Sequence, residues 1–179
     1  MTPVARAPVD PHVTRSRSGQ GLAGARPIGV EIFACGSPDR GDDAVGLVVA
    51  EALERSLPAG ARIRVVGQLE VDHLLDVPPG GAVIVVDAAT GVRGGHIVEL
   101  PLTGMIGRED RLRPRSSHAL EFREVIGVAD MIRGRPLEGR IIAVGGVRFT
   151  LGAGLSPSVA RAVPRMVNAV RDAVARLRT

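Results

Sequence analysis

From residue 28 onward, two hydrophobic rhythms alternate along the chain. Residues 28–34 form a short apolar run with a β-branched bias, which predicts a strand. Apolar residues then recur at Val45, Val49, Ala52 and Leu53, the spacing of a helix over 43–56. Pro58-Ala59-Gly60 ends it. Over 62–66, Ile63 and Val65 alternate with Arg62 and Arg64, predicting a second strand. Residues 69–77 fit a short helix, stopped by Pro78-Pro79-Gly80-Gly81. Residues 82–86 are continuously apolar, as in a strand buried on both faces, and this run ends at Asp87. A further strand at 96–100 comes too soon after Asp87 for a parallel crossover, so it is expected to run antiparallel. Ser117 can cap a helix reaching about residue 132, with Phe122, Val125, Ala129 and Ile132 on one face. Residues 141–144 read as another strand. Ser156-Pro157 is a helix start, and Val159, Val163, Met166, Val167, Val170, Val174 and Leu177 make its apolar stripe. Pro164 should kink that helix or mark the end of its first turn.

Strands alternating with helices predict an α/β three-layer sandwich, α/β/α, around a mostly parallel sheet. In such sheets ligands bind beyond the carboxyl ends of the strands. Residues 1–27, rich in Pro, Arg, Ser and Gly without periodicity, are expected to be a mobile tail ahead of one domain over 28–179. Residues 101–116 read as a long Arg-rich loop.

Composition narrows the chemistry. At 179 residues and 45% hydrophobic, the chain is long enough for one domain with a real core. Its formal charge is +4 and every basic residue is Arg, so a P-loop lysine, a Schiff-base lysine and a Ser–Lys dyad are excluded. Aromatic content of 2% argues against base-stacking recognition, and the arginines are dispersed, so no nucleic-acid partner is expected. A single cysteine, Cys35, excludes an intramolecular disulfide and any Cys-rich zinc site. No apolar run approaches the ~18 residues of a membrane span, and residues 1–27 lack a secretory apolar stretch, so a cytoplasmic protein without a membrane partner is expected.

Three side chains stand where a predicted strand gives way to a loop or helix. Asp43 follows the first strand in the run 35–46, Asp87 closes the third, and His118 opens a helix. Singly, each has an ordinary reading. Acids at a helix start complement its dipole, an acid after a strand can cap a turn, and a histidine can be a surface residue. Together, on one sheet edge, two carboxylates and one imidazole suit a borderline divalent ion such as Zn²⁺ or Ni²⁺, with coordination positions left open. Nucleotide binding is disfavoured: G-x-G-x-x-G is absent, and Asp39, Asp42 and Asp43 would repel a pyrophosphate. His73 and His96 are weaker ligand candidates. Cys35 reads as a packed strand residue, and no G-x-S-x-G presents a serine.

The segments Gly36-Ser37-x-x-x-x-Asp42-Asp43-x-x-Gly46, Val86-Asp87-Ala88 and Ser117-His118-x-Leu120 resemble the hydrogenase maturation endopeptidases. Gly67, Leu74-Leu75 and Gly154-Leu155-Ser156-Pro157 add to the likeness, which spans residues 28–178. The resemblance implies a twisted five-stranded sheet between helices with one antiparallel strand. It implies an aspartyl-type endopeptidase that removes the C-terminal extension of a nickel–iron hydrogenase large-subunit precursor. The positions matching Asp43, Asp87 and His118 would bind metal. That metal would be the Ni²⁺ already inserted in the substrate, with Zn²⁺ able to stand in its place and no cofactor of the enzyme's own. The enzyme is expected to act as a monomer. Water is the expected nucleophile, activated by Asp42, by Asp43 or by the metal.

The chain departs from the family pattern at Ser37, where Asn is usual, at Asp43, which is Glu in some members, and at Val147-Arg148-Phe149, where members often carry an acid. The tail 1–27 has no counterpart. Two other readings stay open: a self-sufficient zinc peptidase or hydrolase, and a non-catalytic chaperone that checks nickel in the large subunit.

Overall fold

The computed structural model describes residues 29–103 and 117–178, with backbone alone at 117–121. The tail 1–27 and the Arg-rich loop, apart from its first residues, lie outside the described residues. The strands are β1 (Val30–Ala34), β2 (Ala61–Val65), β3 (Ala82–Gly94), β4 (Ile97–Pro101) and β5 (Gly139–Gly145). The helices are α1 (Val45–Glu54), α2 (Val71–Leu75), α3 (Ser117–Arg133), α4 (Pro157–Ala160) and α5 (Val163–Leu177). A 3₁₀ turn, Gly41–Ala44, leads into α1. The sheet order is β2-β1-β3-β5-β4, parallel except for the β4–β5 pair. Both the sandwich and the antiparallel strand agree with expectation.

Alternation along the central strands builds two cores. Val30 and Ile32 of β1, Ile84 and Val86 of β3, and Ile142 and Val144 of β5 face α1, α4 and α5. Phe33, Val83, Val85, Ile141 and Ala143 face α2 and α3, where Leu74, Ile126 and Ala129 meet them. Period-2 apolarity on both faces is what a sheet covered on both sides requires. Glu31, 1% exposed in the middle of β1, is the exception. Its two carboxylate oxygens accept from Arg62 Nε on the neighbouring strand at 2.9 and 3.1 Å, so this buried charge is paired.

One expectation is corrected. Asp87 does not end its strand: β3 continues to Gly94, because Asp87, Ala88 and Ala89 keep pairing with Ala143, Val144 and Gly145 of β5. On its other side, β1 stops at Ala34, opposite Val86. At Pro164 the second of the two expected outcomes holds: a first turn, α4, ends ahead of it, and Pro164 sits in the first turn of a separate helix, α5, where a missing N–H costs nothing.

The chain runs from β1 outward to β2, then back across β1 to β3. The crevice between the carboxyl ends of β1 and β3 is therefore the topological switch point of the sheet, where such folds place ligands. α3 lies over this end on the α2 side. Its last residue, Arg133, donates through Nη1 to the carbonyls of Leu74 (3.0 Å) and Val77 (2.8 Å), fastening α3 to the C-terminal end of α2.

Candidate metal centre at the switch point

The loop after β1 is shaped by two glycines. Gly36 adopts φ +124°, and a Cβ there would fall on the carbonyl oxygen of Asp43. Gly46, in the first turn of α1, lies against the carbonyl oxygens of Cys35 and Val86, which a side chain would displace. Small residues at both places let the chain turn sharply off β1 and let α1 start directly above the strand ends. Asp43 is thereby held over the crevice, and the backbone N–H of Ser37 donates to its Oδ2 at 2.9 Å. This bond uses the main chain, so the Ser for Asn departure at position 37 leaves it intact.

A cleft of about 410 Å³ opens here. Cys35, Ser37, Arg40 and Asp43 line it from the β1 side, and Asp87 from β3. Gln68 and Leu69, after β2, and Phe122 of α3 complete the wall. The fold thus brings Asp43 and Asp87 together. His118 lies in the first turn of α3, one helical turn before Phe122, and its side chain is outside the described residues. Within the described residues, no group of three His, Cys, Asp or Glu side chains is arranged around a common point.

Electrostatics mark the cleft as cation-seeking. Asp87 is 7% exposed. Burial raises its pKa to about 7, and the charge of Asp43 pushes the same way against a 2.7 Å bond from the Ala88 N–H to Oδ1. Burial likewise pushes the Cys35 thiol far up, with Asp87 and Asp43 adding to it. The thiol therefore stays protonated at neutral pH, as a packed residue would. Asp43 takes the Ser37 amide at Oδ2 and Asp87 takes the Ala88 amide at Oδ1, so each of these bonds engages one carboxylate oxygen. Two acids sharing a partly desolvated cleft suit a divalent cation better than an anion.

Asp42 stands elsewhere. It has no exposed surface and does not line the cleft. Its Oδ2 accepts from the N–H groups of Val147 (2.8 Å) and Arg148 (2.9 Å), and its Oδ1 accepts from that of Ser156 (2.6 Å). Burial alone would raise its pKa, but these three amides outweigh it and hold the carboxyl below its ordinary value. Asp42 fastens the loop 146–156 to the turn before α1. Arg148, the other departure from the family pattern, folds back on that loop, donating to Gly154 O at 3.0 Å.

Of the weaker histidine candidates, His73 is engaged locally. Its Nδ1 accepts from Glu70 N–H at 3.1 Å, and its ring centroid lies 5.8 Å from that of Phe33. His96 is exposed ahead of β4. Reading the sequence missed Arg40, Gln68 and Leu69 as cleft residues. Phe122 carried a usable signal, since it is four residues after His118 on a helix.

The architecture and its switch-point cleft define an α/β/α sandwich of a particular type. Its solved relatives in structure include the hydrogenase maturating endopeptidase HybD of E. coli, with a TM-score of 0.68 at 20% identity over 82% of this chain and 92% of that one. HybD of Thermococcus kodakarensis, a [NiFe] hydrogenase maturation protease, aligns with a TM-score of 0.65 at 21% identity over 80% and 97% of the two chains. A hydrogenase 2 maturation peptidase from a Thaumarchaeota archaeon aligns at 0.59 and 23% identity over 81% and 97%. No protein-family model and no curated protein sequence matches the chain. The chain has the fold of the hydrogenase maturation proteases across nearly their whole length.

Proposed function

We propose that this protein is a hydrogenase maturation endopeptidase, which removes the C-terminal extension from a nickel-loaded large-subunit precursor. The observation that carries the reading is the pair Asp43 and Asp87, which line one cleft at the switch point within the fold those proteases share. Asp43, Asp87 and His118 take up the nickel that the substrate brings and so place the scissile bond. Position 118, one turn before the cleft-lining Phe122, supports His118 as the third donor.

Water is the nucleophile in this reading, because the Cys35 thiol is held neutral and buried. Asp43 is better placed than Asp42 to accept its proton: Asp43 borders the cleft, whereas both oxygens of Asp42 are taken by amides. The role we give Asp42 is to fix the loop 146–156. No helix among the described residues is long and apolar enough to cross a membrane.

The test incubates the protein with large-subunit precursor, with and without nickel, and follows the mass of the precursor. Cleavage only of the loaded form is expected. Full-rate cleavage of nickel-free precursor would sink the nickel-gating idea. Asp43→Asn, Asp87→Asn and His118→Ala should each abolish processing, and normal processing by all three would overturn the site. Retention of stoichiometric zinc through dialysis would favour a self-sufficient zinc peptidase instead.

A further inference from the structure

The loop 146–156 is a surface loop held with unusual completeness. The three amide bonds to Asp42 secure both of its ends. Between them, Gly41 N–H donates to Ala153 O at 3.0 Å and Gly152 N–H to Asp39 O at 2.7 Å. Arg40 and Ala153 form an isolated parallel bridge, and Arg148 ties the loop to itself. Yet this fixed segment directs two aliphatic side chains to solvent: Val147 is 61% exposed and Leu151 is 77% exposed. A loop without a partner gains nothing from holding such residues outward in one conformation, whereas a binding surface gains by ordering them beforehand.

The ridge is continuous with the cleft. Arg40, bridged to Ala153, itself lines the cleft beside Asp43. The charge around the ridge is one-sided. Arg40, Arg93 and Arg148 have no carboxylate within ion-pair distance among the described residues, and Asp39 is the acid nearby. Arg93 borders the ridge through its carbonyl, which packs on Gly145, and Val147 rests against Gly94. An apolar centre with Arg148 on the ridge, and Arg40 and Arg93 on the segments beside it, fits a folded protein surface with an apolar patch and an acidic rim.

We infer that the 146–156 ridge, led by Val147 and Leu151, docks the folded body of the precursor whose C-terminal segment enters the cleft. This rests on the function proposed above. It gives the enzyme a recognition element separate from the metal: the cleft reads the loaded centre, and the ridge reads the surface around it. Because Asp42 couples the ridge to the turn that carries Asp43, docking and metal contact share one rigid frame.

The experiment measures steady-state processing of nickel-loaded precursor by the wild type, by Val147→Asp/Leu151→Asp, and by Arg93→Glu. Both altered apolar side chains are mostly exposed, so the double variant should keep the wild-type urea midpoint. Its KM is expected to rise at least tenfold with kcat changed less than twofold. Arg93→Glu should raise KM severalfold at low ionic strength, and the difference should shrink in 0.5 M salt. Wild-type activity with an unchanged KM in the double variant would overturn the ridge proposal and leave the proposed function standing. A wild type that processes no loaded precursor would remove the function and the ridge proposal together. To cover a folding defect, Leu151→Ser is run beside it, with the same direction of effect expected.

Discussion

Replacing Asp42 by Asn should destabilise the fold by about 2–4 kcal/mol without touching the proposed metal ligands. The carboxylate takes three backbone N–H groups, two at Oδ2 and one at Oδ1, across sequence separations of 105, 106 and 114 residues. An amide offers one oxygen and one NH₂ group. Its best orientation keeps the bonds to Val147 and Arg148 and turns the NH₂ towards the N–H of Ser156, donor against donor. One charge-assisted bond, worth about 1.5–3 kcal/mol, is lost, and a buried N–H is left unpaired. With a urea slope of about 2 kcal/mol per molar, the midpoint should fall by roughly 1–2 M. Amide exchange at Ser156 should quicken before that at Val147 and Arg148. The pH dependence follows from the lowered pKa. The fold favours the charged form, so the stabilisation is complete above the ordinary carboxylate range and is lost as pH falls through the depressed folded-state value. The gap between wild type and variant should therefore persist at neutral pH and close only in acid. An unchanged urea midpoint, or a gap already closed near neutrality, would refute the assignment of Asp42 as the fastener of this loop.

The opposite sign holds for Asp87, whose pKa is raised to about 7, so the metal-free fold favours the neutral acid and is penalised as pH climbs. Asp87→Asn should melt above the wild type at pH 8 by an amount worth up to ~4 kcal/mol and coincide with it near pH 4, in scans run with chelator; equal melting at pH 8 would count against the shift. Gly36→Ala places a side chain on the Asp43 carbonyl at positive φ, so a loss of about 3–5 kcal/mol in urea unfolding is expected, and a variant of wild-type stability would show that this turn is not fixed as described. Cys35, 2% exposed with its thiol pushed far up, should resist iodoacetamide in native protein at pH 8 and react fully once unfolded, as followed by mass; rapid native labelling would contradict its burial.

Much of this molecule could be read from its residues. Alternation and helical spacing are local properties, and they placed all five strands and the longer helices near their observed positions. The short return after Asp87 foretold the antiparallel strand. Gly36 and Gly46 stood out only as part of the motif that carried the family resemblance; the φ and the backbone closeness that require glycine there are seen in the structure. Asp43 was legible as a site candidate because it follows a strand whose end the pattern revealed, and Asp87 because it closes the apolar run of β3, although the strand itself continues past it.

Other features were decided only by tertiary structure. Whether β3 stops at Asp87 depends on its neighbours: β5 extends further than β1, and no pattern within β3 carries that information. Asp42 and Asp43 are adjacent in sequence and chemically alike, yet one is sealed beneath a loop more than a hundred residues away and the other borders an open cleft. Their roles part because the 3₁₀ turn points successive side chains in different directions, and what waits in each direction is set by the packing of the whole chain. The raised pKa of Asp87 arises in the same way, from burial that the residue's own segment cannot specify. Sequence determined which groups were available and on which elements; the fold determined which of them face one another.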